Sequence, residues 1–566
     1  YATGIMVRGL STIGGPKDPL IVLDNFPYDG DLNNINPNDV ESITILKDAA
    51  AASIWGTRAG NGVIVITTRK GHYNQPVTID LTSNISVTAK PDIWYTRPIS
   101  SSDYIDVEQL LYAKGFYNSS INSRFKPSLS PVIELLIKKN NGQLTPAVVD
   151  ERINALRNID ARTDFDKYVY RSSVNKQYAL TMRGGTNAVT WFLSGGYDHN
   201  LSELSAKYQR ITLHSENTFH LSNHFQVSAG LYFIQNNNES GQNGYGMITS
   251  GNGASLYPYA MLGDNNGNAL PVIRNYRQVY LDTVGQGKLL DWKYYPLDDY
   301  KHIMNTVKKY DLLASLKLNY RINKSWMAEL QYRYENQRTT GQILYDPQSF
   351  YARDIINSFT QLNYTTGQVT YKVPKGGILD NSNSLLEAHN SRAQLNYTNT
   401  WQQHQLTGVA GAEIRETKNS VNAYRTYGYN NDILTYGNVD YTTIHPILVT
   451  GFPSFIPTTG SMGKNLNRFI SAYINLAYTY KERYTLSASG RRDASNLFGV
   501  NTNQKWTPLW ASGAAWQISR EPFYQLSWLP YLKFSLTYGY SGNVDPNQSA
   551  VTTIMYQSTS PYTLTP

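Results

Sequence analysis

The chain has 566 residues, a formal net charge of +8, 45 tyrosines and no cysteine. Its length exceeds the usual domain of about 100–200 residues, and the lack of cysteine excludes a disulfide framework and thiolate metal sites. No run of about 18 apolar residues occurs, which excludes a membrane-crossing helix. It does not exclude a transmembrane barrel, whose strands are apolar only at every second position and so score as hydrophilic.

Lysines and arginines are scattered, without a block of five or six like charges. The positive balance therefore reads as a solvated mixed-charge surface and not as a nucleic-acid footprint. The chain opens at Tyr1 and closes at Pro566, and it is expected to be a fragment truncated at both ends.

Taken in order, "PLIVLD" at 19–24 is a β-branched run between turn formers, so a short buried strand. Asn36 before Pro37 suits a helical N-cap followed by a first-turn proline, with Asp39 as a favourable early carboxylate. Residues 42–46 alternate as a strand. Asp48 and the alanines behind it predict a helix start, and Gly56 after Trp55 suits a left-handed C-terminal cap. Gly60 and Gly62 permit close backbone approach. "VIVITT" is a further strand, and this small β-helix-β unit ends near Gly71.

From Val77 onward the period changes to two. Tyr310, Leu312, Ala314, Leu316, Leu318 and Tyr320 share one face, against Asp311, Ser315, Lys317 and Asn319, with Leu313 out of pattern. Trp326, Ala328, Leu330, Tyr332 and Tyr334 oppose Met327, Glu329, Gln331, Arg333 and Glu335. "LKFSLTYGY" at 532–540 repeats the scheme. Successive strand side chains point to opposite faces, so each run has an oily side and a wet side.

Short turns join 177–183 to 189–197, 209–219 to 225–235, 310–320 to 326–336, 391–401 to 404–414, and 468–480 to 483–492. Mostly long irregular segments separate these hairpins, at 91–176, 237–309, 337–390 and 417–467. Segments near ten residues with that asymmetry predict an outer-membrane barrel, short ends periplasmic and long ends outside. About thirteen strands are expected.

The N-terminal stretch resembles the plug of TonB-dependent outer-membrane transporters, in particular their SusC/RagA-like branch. The resemblance rests on "VRG" at 7–9, "PLIVLDNFP" at 19–27, "INPNDVESITILKDAAAASIWGTRAGNGVIVITTRKG" from Ile35, and "YGYSGN" at 538–543. Its motif positions, structural or gating, are Arg8, Gly9, Asp24, Asp39, Lys47, Asp48, Gly56, Arg58, Asn61 and Gly62. Asp48 reads as a cap, and Arg8 and Arg58 as partners of carboxylates where plug meets barrel. The chain departs from the family at Asp24-Asn25, where Asp-Gly is usual, at 59–62, and at Trp55, where tyrosine is usual.

The resemblance implies a mainly β fold: a partial α/β plug over residues 1–72, then a transmembrane antiparallel barrel over residues 73–566, incomplete at about 13 of about 22 strands. It also implies TonB, with its ExbB/ExbD energy complex, pulling on the plug, and a SusD-like surface lipoprotein as lid. The cargo would be an oligosaccharide or a peptide, imported across the bacterial outer membrane into whose lipid the barrel is set. Loops rich in asparagine, tyrosine and glycine lean toward a glycan.

"DGDLNN" at 29–34 and "DNNGN" at 264–268 lack the spacing of a calcium loop and read as turns. His220 and His224 flank a turn without an evident third ligand. No phosphate loop, nucleophile elbow or zinc motif is present, so no enzyme, cofactor or metal is expected. The competing expectation is a soluble β-rich glycan-binding protein or glycosidase, since sandwiches also alternate. A third, a signal-transducing receptor, would need a further N-terminal domain.

Overall fold

The computed structural model describes residues 5–7, 17–30, 32–47, 55–56, 59–249, 253–497, 508–540 and 542. Two sheets organise them. The first is mixed and four-stranded: β1 (Leu20–Leu23), β2 (Phe26–Pro27), β3 (Val40–Leu46) and β4 (Val63–Thr68), in the order β2-β1-β4-β3. β1 runs parallel to β4, and β3 antiparallel to it. The turn from β1 to β2 is Asp24-Asn25, both at positive φ (47° and 70°). Two such residues match the twist of a tight hairpin, and asparagine and aspartate tolerate that region better than other side chains with a Cβ.

The second sheet is the wall. Its strands are β5 (Gln75–Thr88), β6 (Ser173–Gly185), β7 (Val189–Leu201), β8 (Lys207–His220), β9 (Phe225–Glu239), β10 (Ile303–Arg321) and β11 (Trp326–Tyr345). Two short strands, β12 (Thr360–Leu362) and β13 (Val369–Tyr371), form a separate hairpin before β14 (Gly377–Trp401) and β15 (His404–Asn430). β16 (Thr435–Gly437) adds to β15, while β17 (His445–Pro446) pairs with β18 (Pro453–Ser454). The wall resumes with β19 (Ser461–Tyr480), β20 (Tyr484–Ser495), β21 (Pro508–Trp516) and β22 (Phe534–Tyr540). Thirteen strands form one antiparallel path from β5 to β22, each beside its sequence neighbour in the wall, as expected.

Face assignment follows the alternation. On β11, Leu330 is 51% exposed, whereas Glu329, Gln331, Arg333 and Glu335 are buried. Tyr310, Leu316 and Tyr320 are likewise exposed on β10 while Asp311 is buried. The charged side is the inner one, because the four-stranded sheet packs there. From Tyr310 to Tyr320 the oily face covers about 34 Å of strand at 3.4 Å per residue, or about 25 Å of height at a tilt near 45°. That height equals the apolar band of an outer-membrane barrel, about 25 Å. Aromatic rings gather where strands meet the short turns: Trp326 lies 4.6 Å from Tyr397, and Tyr484 stacks on Trp516 at 6.4 Å. Such girdles suit the membrane–water boundary, where a ring is half wet and half dry.

Strands run longer than the alternation indicates, β15 reaching 27 residues. The additional residues pack against the long connections, where Ile378 and Tyr427 are buried with Ile356 and Phe359, so the oily-out, wet-in alternation fades although pairing continues. The β21–β22 connection, on the short-turn side, is also long; Glu521 anchors it by accepting from Tyr484 Oη at 2.6 Å and Trp516 Nε1 at 2.9 Å.

The long connections are not irregular throughout. Between β5 and β6 lie helices Ser101–Ala113, Pro131–Asn140 and Pro146–Leu156. Ser100 caps the first by accepting from the Asp103 amide, and Ser130 caps the second ahead of Pro131. They join the β9–β10 and β11–β14 connections in a cap with its own cores, one around Ile105, Val132, Val149, Ile153 and Tyr259, another around Phe165, Leu262, Trp292 and Phe350. Asp264 accepts from the amides of Asn266 and Asn268, which makes 264–268 a turn.

Candidate functional site at the inner wall

The segment from Leu23 to Asp39 makes a chain of hydrogen bonds and buried contacts between the N-terminal sheet region and the wall. Three arginines hold its first part. Arg333 Nη1 donates to the Leu23 carbonyl at 2.8 Å, and Arg392 Nη1 to the Asn25 carbonyl at 2.8 Å. Both guanidinium groups also lie 5.3 Å from the centre of the buried Phe26 ring. Arg415 pairs with Asp29. These are charge-assisted contacts removed from water, where an arginine fork is stronger and more directional than a neutral donor.

The second part is held by a fourth arginine, neutral groups and buried acids: Arg210 Nη1 donates to the Asn33 carbonyl at 2.5 Å, and the Arg210 guanidinium pairs with Asp198 at 2.6 Å. Tyr28 donates to Asp311 at 3.1 Å, and Asn236 to Asn34 Oδ1 at 2.9 Å. The Asn36 amide donates to Tyr232 Oη at 2.9 Å, and the Asn36 side chain to Thr212 Oγ1 at 3.1 Å. Asn36 at the same time accepts from the Asn38 amide, the cap read from the sequence. Asp39 is fully buried and accepts from Ser194 at 2.5 Å. Burial pushes the Asp39 carboxyl above its ordinary range, against the pull of the Ser194 hydrogen bond. An apolar patch seals this contact: Leu23, Tyr28, Ile35, Ile64 and Ile66 pack on Tyr232, Ile234 and Leu313. Leu313 breaks its strand's alternation because its wet face meets this patch.

Among the motif positions, Asp24 accepts from the Thr68 amide at 2.9 Å and its hydroxyl at 2.8 Å, tying β1 to β4. Asn61 donates to the Asp18 carbonyl at 3.4 Å. Gly62 has φ 94° and opens β4; Lys47 follows β3 and is exposed. Gly56 adopts φ 72°, and a Cβ there would collide with the Asp493 carboxylate and the Arg491 guanidinium. Gly56 therefore allows close approach to β20. Arg8, Gly9, Asp48 and Arg58, with the alanine helix and the end of the "YGYSGN" motif, lie outside the described residues. Pattern reading missed Arg392, Arg415 and Phe26; the signal for the two arginines is a cation in mid-strand on the wet face.

Two cavities flank the β1–β2 hairpin along β14, β15 and β19. The one toward the cap, about 510 Å³, is lined by Asp29, Asn61, Arg415, Asn419, Asn465 and Asn467 among others. The one toward the short turns, about 320 Å³, is lined by Asn25, Trp55, Gln331, Arg392, Gln394 and Tyr473 among others. Both have the size of ligand pockets and present amides and charges.

Residues 1–63 match the family model described as TonB-dependent Receptor Plug Domain. The chain is 25% identical over 549 residues to TonB-dependent receptor P39 of Formosa agariphila, covering 95% of this chain and 44% of that protein. It is 26% identical over 217 residues to TonB-dependent receptor SusC of Bacteroides thetaiotaomicron, covering 37% of this chain and 18% of SusC. Among solved structures, the RagAB peptide importer in its closed-closed state superposes with a TM-score of 0.69 at 18% identity, over 94% of this chain and 55% of that one. The chain spans about half the length of the curated relatives that it matches along most of its own length.

Proposed function

We propose, for a chain that is a SusC/RagA-like TonB-dependent receptor of the bacterial outer membrane, that it forms the plug end and first wall strands of an active nutrient importer. Residues 1–72 are read as the plug portion and 73–566 as the barrel portion. The observation that carries this reading is the two-sided wall: apolar residues outside, and arginines inside that clasp a separate small sheet. A lumen wide enough for an oligomer leaks unless something fills it, and the clasped sheet is that filler.

Binding alone does not move cargo against a gradient, so the plug must be displaced by outside work. In this reading TonB, with ExbB/ExbD, supplies it, and a SusD-like lipoprotein closes the cap from outside. Exposed Tyr95, Leu110 and Phe116 on the cap support such a partner. The cargo is an oligosaccharide in this proposal. The support is chemical: asparagines in the cavity suit hydroxyl groups, though a peptide backbone would meet the same amides.

Uptake by cells carrying the full-length protein, with and without TonB, tests the reading. It is expected to stop without TonB. Uptake indifferent to TonB, or a purified full-length protein soluble without detergent, would overturn it.

A further inference from the structure

The two cavities flanking the hairpin belong to one stretch of wall, and cross-strand register shows how little separates them. Arg333, Asn390, Arg415 and Phe469 stand side by side in one row across β11, β14, β15 and β19. The next row toward the short turns holds Gln331, Arg392, Glu413 and Ser471. The cap-side cavity reaches Phe469 and the other begins at Tyr473, about 14 Å further along β19 at 3.4 Å per residue. What fills the interval on the lumen side is the hairpin clasped by these arginines, from Leu23 to Asp29.

A second observation marks the interval. Asn390 is fully buried in the first row, between Arg333 and Arg415, yet neither its Oδ1 nor its Nδ2 has a hydrogen-bond partner among the described residues. Arg415 Nη1 is likewise without one there. A buried amide without partners costs about 1–3 kcal/mol, a cost that a polar solute passing this row would relieve.

We propose that the two cavities are the ends of one solute route along β14, β15 and β19, and that the β1–β2 hairpin alone is its gate. Shifting the hairpin tip, from Asn25 to Asp29, off Arg392 and Arg415 joins the cavities, while Arg333 keeps its hold on Leu23 and the segment from Asn34 to Asp39 stays docked on β7, β8 and β9. The solute class is an extended, uncharged oligomer bearing hydroxyls or amides, which Asn390, Asn419, Asn465 and Asn467 pass along by hydrogen bonds. This rests on the importer reading but differs from it in requiring only local displacement.

The test is the potassium conductance of the full-length protein in planar bilayers, which needs no cargo. Arg392→Met/Arg415→Met is expected to show sustained openings where the parent stays closed. Those openings are expected to persist after Asp39→Cys and Ser194→Cys are added and oxidised, and to shrink severalfold with Asn390→Trp. Openings lost on oxidation and regained with reductant would show that the whole plug moves; no openings, or no effect of Asn390→Trp, would also overturn the route. Failure of the importer reading appears elsewhere, as TonB-independent uptake in cells. In the open double variant, adding maltoheptaose and adding a neutral Gly-Ser-Asn peptide distinguish the two solute sources by which one blocks current. Block by neither would remove the solute class.

Discussion

Arg392 of the wall and Asn25 at the tip of the β1–β2 hairpin are joined by a 2.8 Å hydrogen bond from guanidinium to carbonyl, and the same guanidinium meets Glu413 at 2.8 Å. One side chain thus links the hairpin to a buried acid of the wall. Removing the cation strands the carboxylate, and breaking such a buried pair from one side typically costs about 3–5 kcal/mol. Arg392→Met is expected to raise hydrogen exchange at residues 20–30 of the full-length protein in detergent. Adding Glu413→Gln should recover most of the protection, because the unpaired charge is then gone.

Leu313 and Leu330 test the face assignment. Leu313 is 3% exposed under the small sheet, and Leu330 is 51% exposed on the outer face. Leu313→Gln should assemble in the membrane but loosen the plug, giving faster proteolysis near Tyr28. Leu330→Lys places a charge in the apolar band, at about 2–4 kcal/mol near the midplane, and should lower the yield of heat-resistant folded barrel on gels. Equal effects of the two changes would contradict the assignment.

Gly56 combines φ 72° with the absence of space for a Cβ against Asp493 and Arg491. Gly56→Ala should weaken docking by about 1 kcal/mol or more from backbone strain alone. Exchange protection in β4 should fall, while the secondary structure of the barrel, followed by circular dichroism, should not change.

In the cap, Glu108 is buried beneath Tyr259, whose hydroxyl donates to it at 2.7 Å, and burial raises its carboxyl above the ordinary range despite the Ser130 and Tyr259 hydrogen bonds. The folded state therefore favours the proton. Its contribution is fully present below the ordinary glutamate value of about 4.3 and is lost as pH rises through the higher folded value. A fluorophore on Leu110→Cys in this cysteine-free chain can follow cap unfolding in urea. The midpoint should fall with rising pH above about 4.3, and Glu108→Gln should flatten that slope.

Much of this architecture was legible in the sequence because lipid imposes a strict rule on it: oily and wet residues alternate along a spanning strand. The hairpins around Trp326, His404 and Tyr484 follow from that alternation and from short turns. The strand extensions did not, since along 421–430 of β15 tyrosines fall on both faces, at Tyr424 and Tyr427, and Arg425 interrupts the face of Val421 and Ala423, so alternation assigns no lipid side there. The cap helices were missed although Ser130-Pro131 and Thr145-Pro146 are helix-start signals, because the long segments were read by their loop-like composition. Leu313 stood out as an exception, but its reason is a contact with residues about 280 positions away, as the Tyr28–Asp311 hydrogen bond shows. Arg392 and Arg415 were indistinguishable from other inward charges until the register placed them beside the hairpin.

The most direct test of the account is a disulfide between segments distant in sequence. Ser194 Oγ lies 2.5 Å from Asp39 Oδ1, so Asp39→Cys and Ser194→Cys put two thiols on facing side chains, which a disulfide can join once small backbone adjustments bring the Cβ atoms within about 3.5–4.5 Å. In intact cells making the full-length protein, the pair is predicted to cross-link in outer-membrane fractions under mild oxidation, while either cysteine alone does not. A correctly assembled barrel in which both thiols stay free and label independently would show that the small sheet does not sit inside the wall.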